Sequence, residues 1–143
     1  MRVYVDERFK ALGLSFSAPR TGDAGYDLFA VESVTVKAGE RALISTGIHM
    51  EIPEGYVGLV KDRSSIAVAG LHTMAGVIDA AYRGEVRVLL LNTNATDYHI
   101  EAGQKIAQVV VLPAFVEAVQ TVDSLEALST TERGAGGFGS TGK

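Results

Sequence analysis

Apolar and polar positions alternate along this 143-residue chain in short runs separated by turn residues. Residues 3–5, 26–31, 33–36, 41–46, 48–52 and 56–60 each read as a strand rich in Val, Ile, Leu or Tyr. Lys37, Gly39, Pro53 and Gly55 mark turns between them. The same pattern predicts an arm over 71–78, strands over 86–91 and 98–100, a buried strand over 103–112, and a last core strand over 115–119. Strands at such short spacing predict an all-β sandwich or barrel. One short helix is expected over 66–69, capped by Ser64 or Ser65 and ended by Gly70. Residues 9–17 read as irregular, and 123–128 as one or two helical turns at most. The chain divides into a β domain, 1–131, and a glycine-rich tail, 132–143, whose apolar surface is too small to order it alone.

Composition narrows the possible functions. With 47% hydrophobic residues the chain can bury a core, and no apolar run is long enough to span a bilayer. The start lacks the apolar centre of a signal peptide, so a cytoplasmic protein without membrane attachment is expected. Absence of cysteine excludes disulfides and thiolate metal sites, and the three histidines, His49, His72 and His99, lack ligand-like spacing. A net charge of −4 argues against a nucleic-acid backbone as partner but leaves room for a single nucleotide.

Candidate chemistry centres on residues 76–86, where apolar and small residues lead to Asp79 and a Tyr-Arg-Gly corner follows. An aspartate in a turn needs no function to explain it. A carboxylate held between two strands can also serve as a general base, with Tyr82 offering a flat face beside it. Arg63, Ser64 and Ser65 at a helix start form a ready anion site, with an ordinary cap as the alternative. Asp27 is a strand-end acid, and Gln108 an amide in an apolar run that must find hydrogen bonds from a neighbouring strand or a ligand. In the tail, 134–139 fits a dinucleotide pattern and 137–143 most of a phosphate-loop pattern, but no helix follows to complete either mechanism. What remains is a segment with Arg133, Phe138, Ser140 and Thr141 that can wrap a ligand.

Five stretches, 24–28, 63–65, 76–85, 103–108 and 133–142, resemble in order and spacing the motifs of the trimeric dUTP pyrophosphatase (dUTPase) family. The resemblance implies a jelly-roll-like fold of β-clip type and hydrolysis of dUTP to dUMP and pyrophosphate, which limits uracil in DNA and supplies dUMP for thymidylate synthesis. It also implies a homotrimer whose active sites are shared among subunits, the tail of one subunit closing over a site made by the other two. On this resemblance Asp79 activates the attacking water, and Tyr82 packs under the deoxyribose. The backbone around Thr73, Gly76 and Val77 pairs with uracil, and Phe138 covers the base. Arg63, Ser64, Ser65 and Gln108 hold the phosphates, joined from the tail by Arg133, Ser140 and Thr141. Mg²⁺ is expected on the triphosphate with no direct protein ligand, Asp27 ordering a metal-bound water.

Two positions depart from the family pattern: Asp62 stands where many members have a small residue or Pro, and Ala81 where many have a second acid. The dCTP deaminases resemble the same motifs but need a glutamate near the position of Leu89, which cannot relay protons. A non-catalytic nucleotide-binding protein on the same scaffold has no need of Asp79 and the tail, and this chain keeps both.

Overall fold

The computed structural model describes residues 1–136. Eleven strands follow in order: β1 (Arg2–Val5), β2 (Tyr26–Phe29), β3 (Val34–Val36), β4 (Arg41–Ile44), β5 (Ile48–Glu51), β6 (Tyr56–Lys61), β7 (Leu71–Met74), β8 (Val77–Ile78), β9 (Val88–Asn92), β10 (Tyr98–Ile100) and β11 (Lys105–Pro113). Two short helices, α1 (Glu7–Ala11) and α2 (Ser64–Val68), and a 3-10 turn at Leu125–Ala127 complete the described chain. Every pairing is antiparallel. One sheet runs β2-β11-β6-β8 and another β4-β9-β7, with the pairs β1-β5 and β3-β10 beside them. The all-β, jelly-roll-like expectation is met.

Alternation builds the core. On β9, Val88, Leu90 and Asn92 point inward, and on β5 Ile48 and Met50 do so. These join Leu28, Ile44, Ile100, Ile106 and Val109 in one apolar cluster drawn from both large sheets. Asn92 is the polar member of the β9 row, and its amide donates to the carbonyls of Val36 and Thr96. That meets the requirement that a buried amide be hydrogen-bonded.

Three expectations need correction. Residues 9–11, within the stretch 9–17 expected to be irregular, belong to α1: Asp6 accepts from the Phe9 N–H at 3.0 Å as its N-cap, and Phe9 is buried against Phe29. The expected last strand over 115–119 is absent, and Phe115, Val116 and Val119 are exposed because no strand of the described chain pairs with them. Neither Ser64 nor Ser65 caps α2; Arg63 holds the N-cap position without a side-chain bond, so both serines lie in the first turn and are exposed.

The arm over 71–78 is broken at its centre. β7 pairs with β9 in one sheet and β8 with β6 in the other, so the chain crosses between sheets at Ala75 and Gly76. Both have positive φ, 57° and 92°. A Cβ at Gly76 would sit 3.0 Å from the Val60 side chain and 3.1 Å from its carbonyl, so glycine lets this corner lie flat on β6. The Val60 N–H donates to the Gly76 carbonyl at 2.8 Å and fixes it there.

Candidate functional site

The first half of the site is a charged corner at one end of the β2-β11-β6 sheet. Antiparallel register sets Asp27 on β2 opposite Gln108 on β11, so both side chains leave the same face. Asp27 then divides its carboxylate between two cations: Oδ1 lies 3.0 Å from Arg63 Nε and Oδ2 lies 2.7 Å from Lys105 Nζ. Lys105 also sits over the Phe29 ring, 5.6 Å from its centroid. With Arg20, Ser64 and Gln108 these residues line a cavity of about 690 Å³. Ser65 is exposed on α2 outside that lining.

Asp62 links this corner to β7. Its backbone carbonyl accepts from Gln108 Nε2 at 3.0 Å, while its side chain accepts from the Thr73 N–H at 2.6 Å and from His72 Nδ1 at 2.7 Å. Burial, the largest influence, pushes its pKa up, but the bonds from Thr73 and His72 together bring it below the usual aspartate range. The departure from the family pattern at this position is therefore a bonded strut.

Asp79 belongs to a second place. It follows the buried Ile78 and is exposed, and among the described residues its carboxylate has no hydrogen-bond or ion-pair partner. The loop after it is stiff. The Tyr82 N–H donates to the Asp79 carbonyl at 3.0 Å, and Arg83 donates to the carbonyls of Ala80 and Tyr82 at 2.6 and 2.8 Å. Tyr82 folds over Gly84, where any Cβ would collide with its ring, and its hydroxyl donates to the Glu85 carbonyl at 3.1 Å. Leu43, Val77, Asp79, Tyr82 and Arg87 line a shallow cavity of about 240 Å³ here.

Within one chain the two places are apart and share no lining residue. Register puts Ile78 opposite Gly58 near the start of β6, whereas Arg63 follows the far end of that strand. Thr73 is buried, Gly76 forms the corner described above, and Val77 is exposed beside Asp79. Arg133 is exposed and donates to the Gly136 carbonyl of its own turn. Phe138, Ser140 and Thr141 lie outside the described residues.

A model of the dUTPase family matches residues 15–142. The chain belongs to the dUTPase family. Among its relatives, the deoxyuridine 5'-triphosphate nucleotidohydrolase of Candida albicans is 51% identical over 121 residues, covering 84% of this chain and 76% of that protein. The enzyme of the same name from Rhizobium meliloti is 45% identical, covering 91% and 84%. The dUTPase of Staphylococcus bacteriophage 80alpha, solved with dUPNHPP, superposes with a TM-score of 0.87 at 30% identity over 99% of this chain and 98% of that one. A mutant dUTPase of phage phi11 of S. aureus, described with a structural Mg(II) ion, gives a TM-score of 0.77 at 27% identity, covering 87% and 97%.

Sequence reading missed Lys105, Arg20 and the pair Asp6 and Arg8, whose arginine donates both to Asp6 and to Glu85 at the end of the Asp79 loop. Lys105 left a signal, being a cation in the same family stretch as Gln108. Asp6, three residues before Phe9, is an N-cap pattern that the brevity of α1 concealed.

Proposed function

We infer that the protein hydrolyses dUTP to dUMP and pyrophosphate, keeping uracil out of DNA and supplying dUMP for thymidylate synthesis. The observation that carries this reading is the pairing, in a member of the dUTPase family, of a carboxylate without a partner among the described residues, on a stiff loop, with a separate corner of cations and amide. Asp79 accepts a proton from the water that attacks the α-phosphorus, the bond from that phosphorus to its bridging oxygen breaks, and pyrophosphate leaves. Arg63, Ser64, Ser65 and Gln108 bind the phosphate chain. Tyr82 packs on the deoxyribose, and the backbone from Thr73 through Gly76 to Val77 reads the uracil edge. Residues 132–143 act as a lid, with Arg133, Ser140 and Thr141 on the terminal phosphates and Phe138 over the base.

Mg²⁺ fits this reading as part of the substrate. Among the described residues no three His, Cys, Asp or Glu side chains cluster as a cage, and both Asp27 oxygens are engaged by Arg63 and Lys105. A triphosphate-bound ion, keeping its waters, spreads phosphate charge. Asp27 then acts by orienting two cations, with any contact to the metal made through water.

A homotrimer completes the site. The two halves line separate cavities of one chain, and a second copy can bring its corner to the first copy's Asp79. The exposed Phe115, Val116, Val119 and Leu125 give an apolar arm for a neighbouring copy to cover. Among the described residues no helix is long and apolar enough to cross a membrane. The cytoplasm is the proposed location. Incubating purified protein with dUTP and Mg²⁺ should release dUMP and pyrophosphate in equal amounts, and sedimentation should give three times the chain mass. No pyrophosphate would overturn the reaction, and a fully active monomer would overturn the shared site.

A further inference from the structure

Tyr82 is held from behind by residues that precede the family match at 15–142. Its hydroxyl is bonded to the Glu85 carbonyl, so the ring goes where the backbone of Glu85 goes. The Glu85 side chain is mostly buried, and its Oε1 accepts three donors: the Thr46 N–H at 3.1 Å, the Gly47 N–H at 2.8 Å and Arg8 at 3.0 Å. Arg8 is itself fixed, since its Nε donates to Asp6 Oδ2 at 2.8 Å while Asp6 Oδ1 caps α1. The helix cannot slide, because Phe9 is 1% exposed and its ring meets Phe29 edge-on at 5.9 Å. Backbone bonds repeat the tie, with Asp6 N–H donating to the Gly47 carbonyl and Val86 N–H to that of Ile48.

We propose that Arg8 and Glu85 are positioning residues for sugar selection: α1 clamps Glu85, and Glu85 holds the Tyr82 ring where a 2′-hydroxyl would have to fit. This rests on the reading of Tyr82 as the deoxyribose platform. Neither Arg8 nor Glu85 touches substrate. Their effect is confined to how firmly the ring is held, so a loosened clamp admits ribonucleotides before it impairs binding of the deoxyribonucleotide.

The test compares Kd for UTP and for the non-hydrolysable analogue dUPNHPP by calorimetry, together with the KM for dUTP. Wild-type protein should favour the deoxyribonucleotide. Arg8→Ala should narrow that preference about threefold, the scale of a partly solvated ion pair. Glu85→Ala, which also strips two backbone donors of their acceptor, should narrow it about tenfold. Arg8→Lys should restore part of the loss. In a Tyr82→Phe background, which cuts the tie to the Glu85 carbonyl, Arg8→Ala should add nothing. If Glu85→Ala does not fold, the Arg8 series decides alone. A preference that stays fixed while thermal stability falls would reduce the clamp to a structural contact and overturn the proposal, as would additive effects with Tyr82→Phe. A wild-type protein that neither binds nor hydrolyses dUTP overturns the enzyme reading as well; an active wild type with an unmoved preference overturns the clamp alone.

Discussion

The cation corner and the Asp79 loop treat their charges in opposite ways. In the corner, Asp27, Arg63 and Lys105 are paired with one another before any ligand arrives. In the loop, backbone and Arg83 bonds do the stiffening, and the Asp79 carboxylate is left out of them. A group that binds charge gains by being oriented in advance, since less freedom is lost when the ligand arrives. A group that accepts a proton must keep its lone pairs available, so its support has to come from the main chain. One molecule thus shows two kinds of preorganisation, each matched to the chemistry proposed for it.

The sharpest way to break this contrast is Asp79→Asn. The amide keeps the shape of the loop but cannot take a proton, so kcat should fall by about 10³-fold while dUPNHPP still binds. Turnover close to wild type would remove Asp79 from the mechanism. Next in size comes deletion of residues 133–143, which takes away the proposed lid. kcat/KM should fall about 10²-fold with the trimer intact by sedimentation, because phosphate donors are lost and water enters. An unaffected kcat/KM would leave the tail without a part in the reaction.

Asp27→Ala addresses the corner alone. Arg63 and Lys105 would lose their common acceptor and splay, so KM for dUTP should rise about tenfold with kcat changed much less. A pure kcat effect would move Asp27 from substrate binding to the chemical step, and would erase the distinction between the two regions.

The same two regions differ in how far they could be read from the sequence. The Asp79 loop is local: acid, aromatic and glycine are contiguous, and period-two alternation in the flanking strands sets its place. Arg63, Asp27 and Gln108 were also legible as types. The role of Lys105 was not, because simple alternation puts residues 105 and 108 on opposite faces of β11. A bulge between Lys105 and Ala107 shifts the register, so that Lys105 opposes Phe29, two residues along the same face from Asp27. The missing strand over 115–119 failed for another reason. Its Phe and Val content expresses strand propensity, but a strand needs a partner edge, and composition does not say which chain supplies one. Glu85 was visible as a residue, yet its partners Thr46, Gly47 and Arg8 lie 39, 38 and 77 positions away, beyond any local pattern.

The smallest expected effect concerns the strut from the cation corner to β7. Asp62 bonds Thr73 and His72 through its side chain and Gln108 through its carbonyl, and its pKa is held below the ordinary aspartate value near ~4. A carboxylate depressed on folding stabilises the protein above the unfolded-state pKa, and that stabilisation is lost as pH falls through the folded value. Asp62→Asn keeps an oxygen for the Thr73 N–H but gives up the charge facing His72. At pH 7 and fixed protein concentration the variant should therefore unfold earlier, by about 1 kcal/mol or roughly 3 °C. Below about pH 4 the Asp62 carboxyl of the unfolded chain takes up a proton while the folded one resists it, so the wild-type advantage shrinks with falling pH and the two melting temperatures should converge. A gap that widened on acidification would mean that the charge of Asp62 costs stability in the fold, and the strut would then have to be assigned to its neutral hydrogen bonds and to the carbonyl that holds Gln108.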